Sequence, residues 1–457
     1  MLAAYLGQRA SWGYLALLVG GMGFLLLLQN PGLTLVAMAG LSFTLPFTFG
    51  TGSEVALTPP VLLIPVVVVV WLLDGLRQGE VRTPASRTIL PLILFTSSGL
   101  LSLVAGNIFW DPQVPRPDNL LLVQLAQWAI YALSAAIFVA AGALGTLDSG
   151  QWQRSATWLF LGLAAVVVLE HYIPPLYRIL PWATPSMADR SMFWTWLPAL
   201  AAGQLLFNRR LDRRVRVGLL VLLLVSAFYI IFRQRTWVSG WVPFGVALLA
   251  VVCLWVWRRS RPAALVLGVG MIVLAVVLYP VFFAHAGGER ELAVSWGGRK
   301  LLYQAVFDLV KEHPILGLGP ASYRHYGHAT WLSMGAGRAL WTRPDISSHN
   351  NFIDVYAQQG LVGLVFFLWF LVELGLLCRR LAPRFKGDFR EGYIYGAMGG
   401  LAGSLVAMML ADWLLPFVYN VGFSGFRTSA LAWMFMGGLV ALEQISRRQA
   451  RAGGGEP

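Results

Sequence analysis

The chain has 457 residues, 57% hydrophobic and only 12% charged, with a mean hydropathy of +0.66. A soluble protein carries about twice that charged fraction, and several apolar runs reach the ~20 residues that cross a hydrocarbon core. A soluble fold is therefore excluded, and so is a transmembrane β-barrel, because the runs are long and continuous rather than short and alternating. The expectation is an all-α, polytopic membrane protein. A net charge of +13 does not point to nucleic acid. The basic residues, arginines except for Lys300, Lys311 and Lys386, cluster in short connections, where they set topology and contact the headgroups of membrane lipids.

In chain order, spans are predicted at 12–29, 33–48, 59–74, 88–105, 120–145, 155–171, 191–207, 217–233, 237–257, 262–283, 351–378, 391–413 and 426–443, about 12–13 transmembrane helices. The first run lacks a charged lead-in and an A-x-A-like cleavage site, so it is expected to stay in the membrane. Arg77, Arg82 and Arg87 mark one cytoplasmic connection, and Arg209, Arg210, Arg213, Arg214 and Arg216 a second. Arg258, Arg259 and Arg261, then Arg379, Arg380, Arg384 and Arg390, then Arg447, Arg448 and Arg451 mark the others. Alternation places 106–119, 172–190, 234–236, 284–350 and 414–425 on the outer side. If 12–29 and 33–48 both span, the N-terminus is outside; the alternative is that one of them is re-entrant or interfacial. Cys253 and Cys378 fall inside predicted spans and form neither a disulfide nor a metal site.

Three segments follow: transmembrane helices over 1–283, an outer loop over 284–350 with the catalytic and binding residues, and transmembrane helices with a short tail over 351–457. The loop is the one long polar stretch. Within it, Gly298–Val310 reads as an amphipathic helix with Leu302, Ala305, Val306, Leu309 and Val310 on one face. Pro314 stops that helix, and Gly317-Leu318-Gly319-Pro320 reads as a turn. The remainder, with Trp331, Gly335, Gly337 and Trp341, reads as irregular, its aromatics suited to the bilayer interface or to sugar rings. Such a loop at the mouth of a membrane helix fits an enzyme acting on lipid-linked substrates better than a transporter. A transporter, or a lipid-linked glycan flippase, is expected to show broken spans and an inverted repeat.

His349 follows Ser347 and Ser348, either of which is a good N-cap for the helix that begins there. In a first helical turn the positive end of the dipole favours neutral imidazole, suited to general-base work; the other reading is an interfacial histidine that bonds a loop. Arg233 and Arg235 stand at the outer end of a span, where the positive-inside rule disfavours them. They either snorkel or, with Arg299 folding over them, grip a phosphate or diphosphate bidentately. His313, His325, His328 and His349 share the loop, but H-E-x-x-H and paired carboxylates are missing and Glu289, Glu291, Asp308, Glu312 and Asp345 are scattered. No metal or cofactor is expected.

Ser348-His349-Asn350-Asn351-Phe352-Ile353 followed by Gln359-Gly360-Leu361-Val362-Gly363 resembles the signature of the O-antigen ligase and polymerase superfamily. So do Gly298-Arg299 leading into an amphipathic helix, His313-Pro314-Ile315-Leu316-Gly317-Leu318-Gly319, and Gln234-Arg235-Thr236, which stands where the family has Ser/Thr-Arg-Gly/Ala. The resemblance covers roughly residues 230–365. It implies a GT-C-like, metal-independent, inverting glycosyltransferase of the bacterial inner membrane, with its site facing the periplasm. The implied donor is an undecaprenyl-diphosphate-linked glycan. The implied acceptor is a lipid A–core sugar for a ligase, or another repeat unit for an O-antigen or exopolysaccharide polymerase. Carried over by residue, His349 would be the catalytic base and Arg235 and Arg299 would hold the diphosphate. Arg190 resembles a less regular family position, and Arg233 has no clear counterpart.

Overall fold

The structure, a computed structural model, describes residues 12–46, 48–50, 56–81, 83–144, 151–277, 289–333 and 347–452. Arg82, Gly335, Gly337, Trp341 and Asp345 lie outside them. The described chain is helical apart from a two-residue antiparallel pairing of β1 (Phe49–Gly50) with β2 (Ala56–Leu57). The N-terminal helices are α1 (Trp12–Gln29), α2 (Pro31–Thr44), α3 (Pro59–Arg77), α4 (Ile89–Ile108), α5 (Leu120–Leu144) and α6 (Gln151–Glu170). Next come α7 (Ser191–Phe207), α8 (Arg213–Phe228, extended by a π turn to Arg233), α9 (Val238–Trp257) and α10 (Arg261–Val277). The polar segment contains α11 (Glu289–Val310) and α12 (Tyr323–Ser333); α13 (Asn351–Leu381), α14 (Phe389–Leu410) and α15 (Gly422–Ala452) follow.

Among the described residues nine helices are long and apolar enough to cross a membrane: α3 to α6, α8, α9 and α13 to α15. The other four predicted spans correspond to α1, α2, α7 and α10. Of these α2 is only 14 residues long, cut short by Pro31 at its start and Pro46 after its end. The protein is thus an all-α, multi-pass membrane protein.

α15 is buried throughout its apolar stretch, whereas α8 leaves Leu220, Leu224 and Phe228 exposed, as lipid-facing positions require. α14 packs on α7 and α9 through a seam of small residues, Gly392, Gly396, Gly399 and Gly403. A Cβ at Gly399 would stand 2.7 Å from the Ala247 carbonyl oxygen, so backbones meet here as they do in small-xxx-small membrane contacts.

The arginine-rich connections gather at one end of the bundle. The Arg209 amide donates to the Gly387 carbonyl at 3.2 Å, Arg258 pairs with Glu391, and Arg384 donates to Ser446 Oγ at 2.9 Å. α14 leaves this end at Phe389 and reaches the opposite end at Leu410.

There the polar segment docks. α11 buries Leu302, Val306 and Val310, the predicted apolar face, and packs on α13. α12 corrects the expectation of irregular chain up to Trp331. Tyr323 stacks on Phe417 with ring centroids 5.0 Å apart, and Tyr326 packs against Trp110 at 5.0 Å and accepts from the Asp111 amide at 3.0 Å. Tertiary anchoring thus outweighs a weakly apolar sequence.

α13 breaks at Gly360 (φ +64), and the break is mended by the turn before α12. The amides of Leu361 and Val362 donate to the carbonyls of Pro314 and Ile315 at 2.9 and 3.2 Å. Conversely, Leu318 and Gly319 donate to Ala357 and Gln358 at 2.9 and 3.1 Å. Irregular backbone within a membrane bundle survives only when its polar groups find such partners. The sequence elements around Gly317 and around Gly360 are two halves of one joint. Ser98 and Tyr131 complete it from α4 and α5, donating to Gln359 Oε1 and Gln358 Oε1 at 2.8 and 2.9 Å.

Candidate active site

The start of α13 is capped by Asn350, whose side-chain oxygen accepts from the amides of Phe352 and Ile353 at 2.9 and 3.3 Å. This corrects the expectation of a serine cap, and the reason is that both serines are engaged elsewhere. Ser348 Oγ lies 2.6 Å from buried Asp354 Oδ1 and accepts from the Asn350 amide at 3.2 Å. Ser347 Oγ accepts from the His349 amide at 2.9 Å, and its proton stands between Asp412 Oδ1 at 3.2 Å and Asp354 Oδ2 at 3.4 Å.

His349 therefore lies one residue outside the cap, with φ +53. The left-handed region costs an ordinary residue roughly 1–2 kcal/mol, and it is held only where neighbours over-determine it. Here the amide bonds on both sides of the imidazole-bearing residue, and the Ser348 amide bonded to Tyr323 OH and Asp354 Oδ1 at 3.1 Å each, supply that constraint. The bonded turn aims the His349 side chain into a cavity of about 340 Å³.

Arg299, from α11, faces the same cavity. Its NH1 donates to the Leu410 carbonyl at 2.9 Å, one of the open carbonyls at the end of α14. A guanidinium has five N–H donors, so this bond orients Arg299 and leaves most of its fork for a ligand. The third group at the cavity is Asp412, buried in the α14–α15 connection. It accepts from the Phe417 amide at 2.9 Å and Asn420 Nδ2 at 2.7 Å. Asn351 clamps the same connection to α13, accepting from the Leu414 and Leu415 amides at 3.1 and 3.2 Å.

The imidazole of His349 is held below the ordinary histidine range, chiefly by burial; the Asp412 carboxylate pulls it up and the Arg299 guanidinium pushes it down. Desolvation and the nearby cation thus favour the neutral form near pH 7. A neutral imidazole beside a guanidinium and a carboxylate can accept a proton, and the carboxylate then stabilises the imidazolium.

The other predicted residues lie around this centre. Arg235 is exposed in the α8–α9 connection, and its carbonyl accepts from Trp241 Nε1 at 3.0 Å. Its side chain does not line the cavity, yet its loop does: Ser239 is on the wall, and Trp237 meets wall residue Trp413 at 6.0 Å. Arg233 is exposed on the π turn and exerts its charge on Tyr172. Arg190, half-buried at the start of α7, donates to Ser424 Oγ and to the Asp189 carbonyl. Arg299 and His349 are thus brought together, while Arg233, Arg235 and Arg190 stand outside the cavity wall. Among the described residues no three His, Cys, Asp or Glu side chains gather as metal ligands would; His325 instead meets Tyr419 OH at 3.2 Å.

Two charged residues escaped the sequence reading. Asp412 and Arg427 are the only ones between Glu391 and Glu443, and isolated charges in so apolar a stretch are themselves a functional signal. Arg427 donates to the Leu45 carbonyl at 3.1 Å, tying α15 to the end of α2.

The fold and this site define a class: an all-α, multi-pass membrane protein whose polar constellation sits at one end of the helix bundle. Residues 215–368 match the family model for O-antigen ligase, a likeness that supports the O-antigen ligase superfamily and a membrane glycosyltransferase of the ligase or polymerase type. The match spans Arg233, Arg235, Arg299 and His349, while Arg190 precedes it and Asp412 follows it. No curated protein matches the chain.

Proposed function

We propose that the protein is a ligase-type glycosyltransferase of the inner membrane. It moves a glycan from undecaprenyl diphosphate to a hydroxyl of a lipid A–core sugar on the periplasmic face, with inversion and without a metal or other cofactor. The observation that carries this reading is that Arg299 and His349, from separate stretches of chain, face one cavity. Its orientation is supported by the arginine-rich connections at the opposite end of α14, which the positive-inside rule assigns to the cytoplasm.

The donor bond is already activated, because the leaving group is a diphosphate. The acceptor oxygen attacks the anomeric carbon, the carbon–oxygen bond to the diphosphate breaks, and its electron pair leaves with the phosphate. The acceptor proton passes to the imidazole of His349, assistance worth about 10²–10⁴-fold. Arg299 takes up charge developing on the diphosphate, a contribution of a few kcal/mol for a well-placed donor. Arg235, on the loop that borders the cavity, extends the grip along the diphosphate.

Purified full-length protein, given undecaprenyl-diphosphate glycan with and without lipid A–core, tests the reading. Product only with the core acceptor is expected. Ladders formed without it would make the protein a repeat-unit polymerase, and no transfer in either case would remove the enzymatic reading.

A further inference from the structure

A second cavity, of about 640 Å³, lies at the arginine-rich end and has no part in the reaction above. The starts of α6, α8 and α14 form it, contributing Arg154, Arg210 with Asp212, and Asp388 with Arg390. Phe389 lines this cavity and Leu410 lines the one that holds His349. They are the two ends of the 22-residue α14, so the cavities are separated by about 33 Å at 1.5 Å per residue, close to the hydrocarbon thickness of a bilayer. The second cavity thus lies at the opposite headgroup level.

Its acids and bases are used differently. Asp212 accepts from the Arg214 amide at 2.8 Å, and Asp388 from the Arg390 and Glu391 amides at 3.0 and 3.2 Å. Both carboxylates are engaged in capping helices. Among the described residues, neither Arg154 nor Arg210 has a side-chain hydrogen bond or ion pair. Trp158, Leu211 and Val215 make the wall apolar beside these cations, and the lipid-facing side of α8 continues it through exposed Leu220 and Leu224. Cations at a headgroup level that give way to an apolar helix face match an amphiphile carrying a phosphate better than a free anion.

We infer that this cavity binds the anionic headgroup of a membrane phospholipid, its phosphate held by Arg154, Arg210 and Arg390 and its acyl chains laid along α8. The inference does not depend on the proposed transfer reaction, and its test does not read transfer.

Native mass spectrometry of the full-length protein, titrated with phosphatidylglycerol or with phosphatidylcholine, provides that test. Phosphatidylglycerol should bind preferentially, and the double variant Arg154→Ala/Arg210→Ala should bind it at least roughly tenfold more weakly, since each surface cation contributes measurably to anionic-lipid binding. Phosphatidylcholine binding should not change. Arg154→Lys/Arg210→Lys should recover most of the affinity, which guards against a folding defect in the alanine pair. Equal phosphatidylglycerol binding by the wild type and the alanine pair would overturn the proposal. So would displacement of the lipid by millimolar inorganic phosphate, which would mark a free-anion site.

Discussion

Arg299 NH1 donates to the Leu410 carbonyl at 2.9 Å, so the end of one transmembrane helix aims the guanidinium of another segment into the cavity. Arg299→Lys should therefore be a severe loss and not a conservative change. A lysine can keep one bond, to the carbonyl or to a phosphate, but cannot copy a planar fork that serves both. We expect kcat/KM to fall by roughly 10²-fold or more, the scale of losing a preorganised donor. Steady-state transfer assays check this, and wild-type kinetics in the lysine variant would argue against diphosphate contact.

His349→Ala should abolish transfer while leaving donor binding largely intact. Because His349 sits at φ +53, alanine also introduces backbone strain, which asparagine tolerates better. His349→Asn is thus the sharper test: it should unfold at the wild-type temperature and still lose about 10²–10⁴-fold in rate. An asparagine variant that turns over normally would remove His349 as the base.

The all-helical membrane fold was legible because hydrophobic run length is a direct physical requirement of the bilayer. Arg299 and His349 were legible as members of local motifs. Their convergence was not, since it is made by contacts such as Arg299 to Leu410 and Ser347 to Asp412 between residues far apart in sequence. The serine cap was misread because Ser347 and Ser348 are strong N-caps by type, and only the structure shows Asp354 and Asp412 claiming their hydroxyls. The irregular reading of the stretch up to Trp331 failed for a related reason. Tyr323 and Tyr326 are held by Phe417 and Trp110, partners that local periodicity does not contain.

Burial holds His349 below the ordinary histidine range. A base must be neutral, so activity should be level around pH 7 and fall on the acid side, with a midpoint below about 6.5. The Asp412 carboxylate favours the imidazolium, so Asp412→Asn should move that midpoint to still lower pH. The Arg299 cation disfavours it, and Arg299→Gln should move the midpoint up. Rate–pH profiles of the three proteins measure these shifts, and an upward shift in Asp412→Asn would contradict the assignment.

Chelator should leave the purified enzyme active. In the proposed chemistry guanidinium groups, with Arg299 foremost, offset the leaving charge that a divalent ion would otherwise meet. Transfer assays with and without EDTA provide the check. Full inhibition, reversed by adding divalent ions back, would replace the arginine scheme with a metal-dependent one.

Gly360→Ala should cost stability far from the reacting atoms. The residue has φ +64, and a Cβ there would stand 2.2 Å from the Ile315 carbonyl oxygen. The left-handed conformation alone costs roughly 1–2 kcal/mol for alanine. Relieving the clash must also part the Pro314–Gly319 turn from α13, opening the four backbone bonds that join them. Because that turn leads into α12, whose Tyr323 holds the Ser348 amide, the loosening should reach the His349 turn and lower kcat as well. Gly218→Ala is the control: it lies on α8 with no atom within 4 Å of its added Cβ, so it should melt at the wild-type temperature or slightly above. Thermal unfolding in detergent compares the two, and equal melting temperatures would mean that the joint at Gly360 is not holding the site.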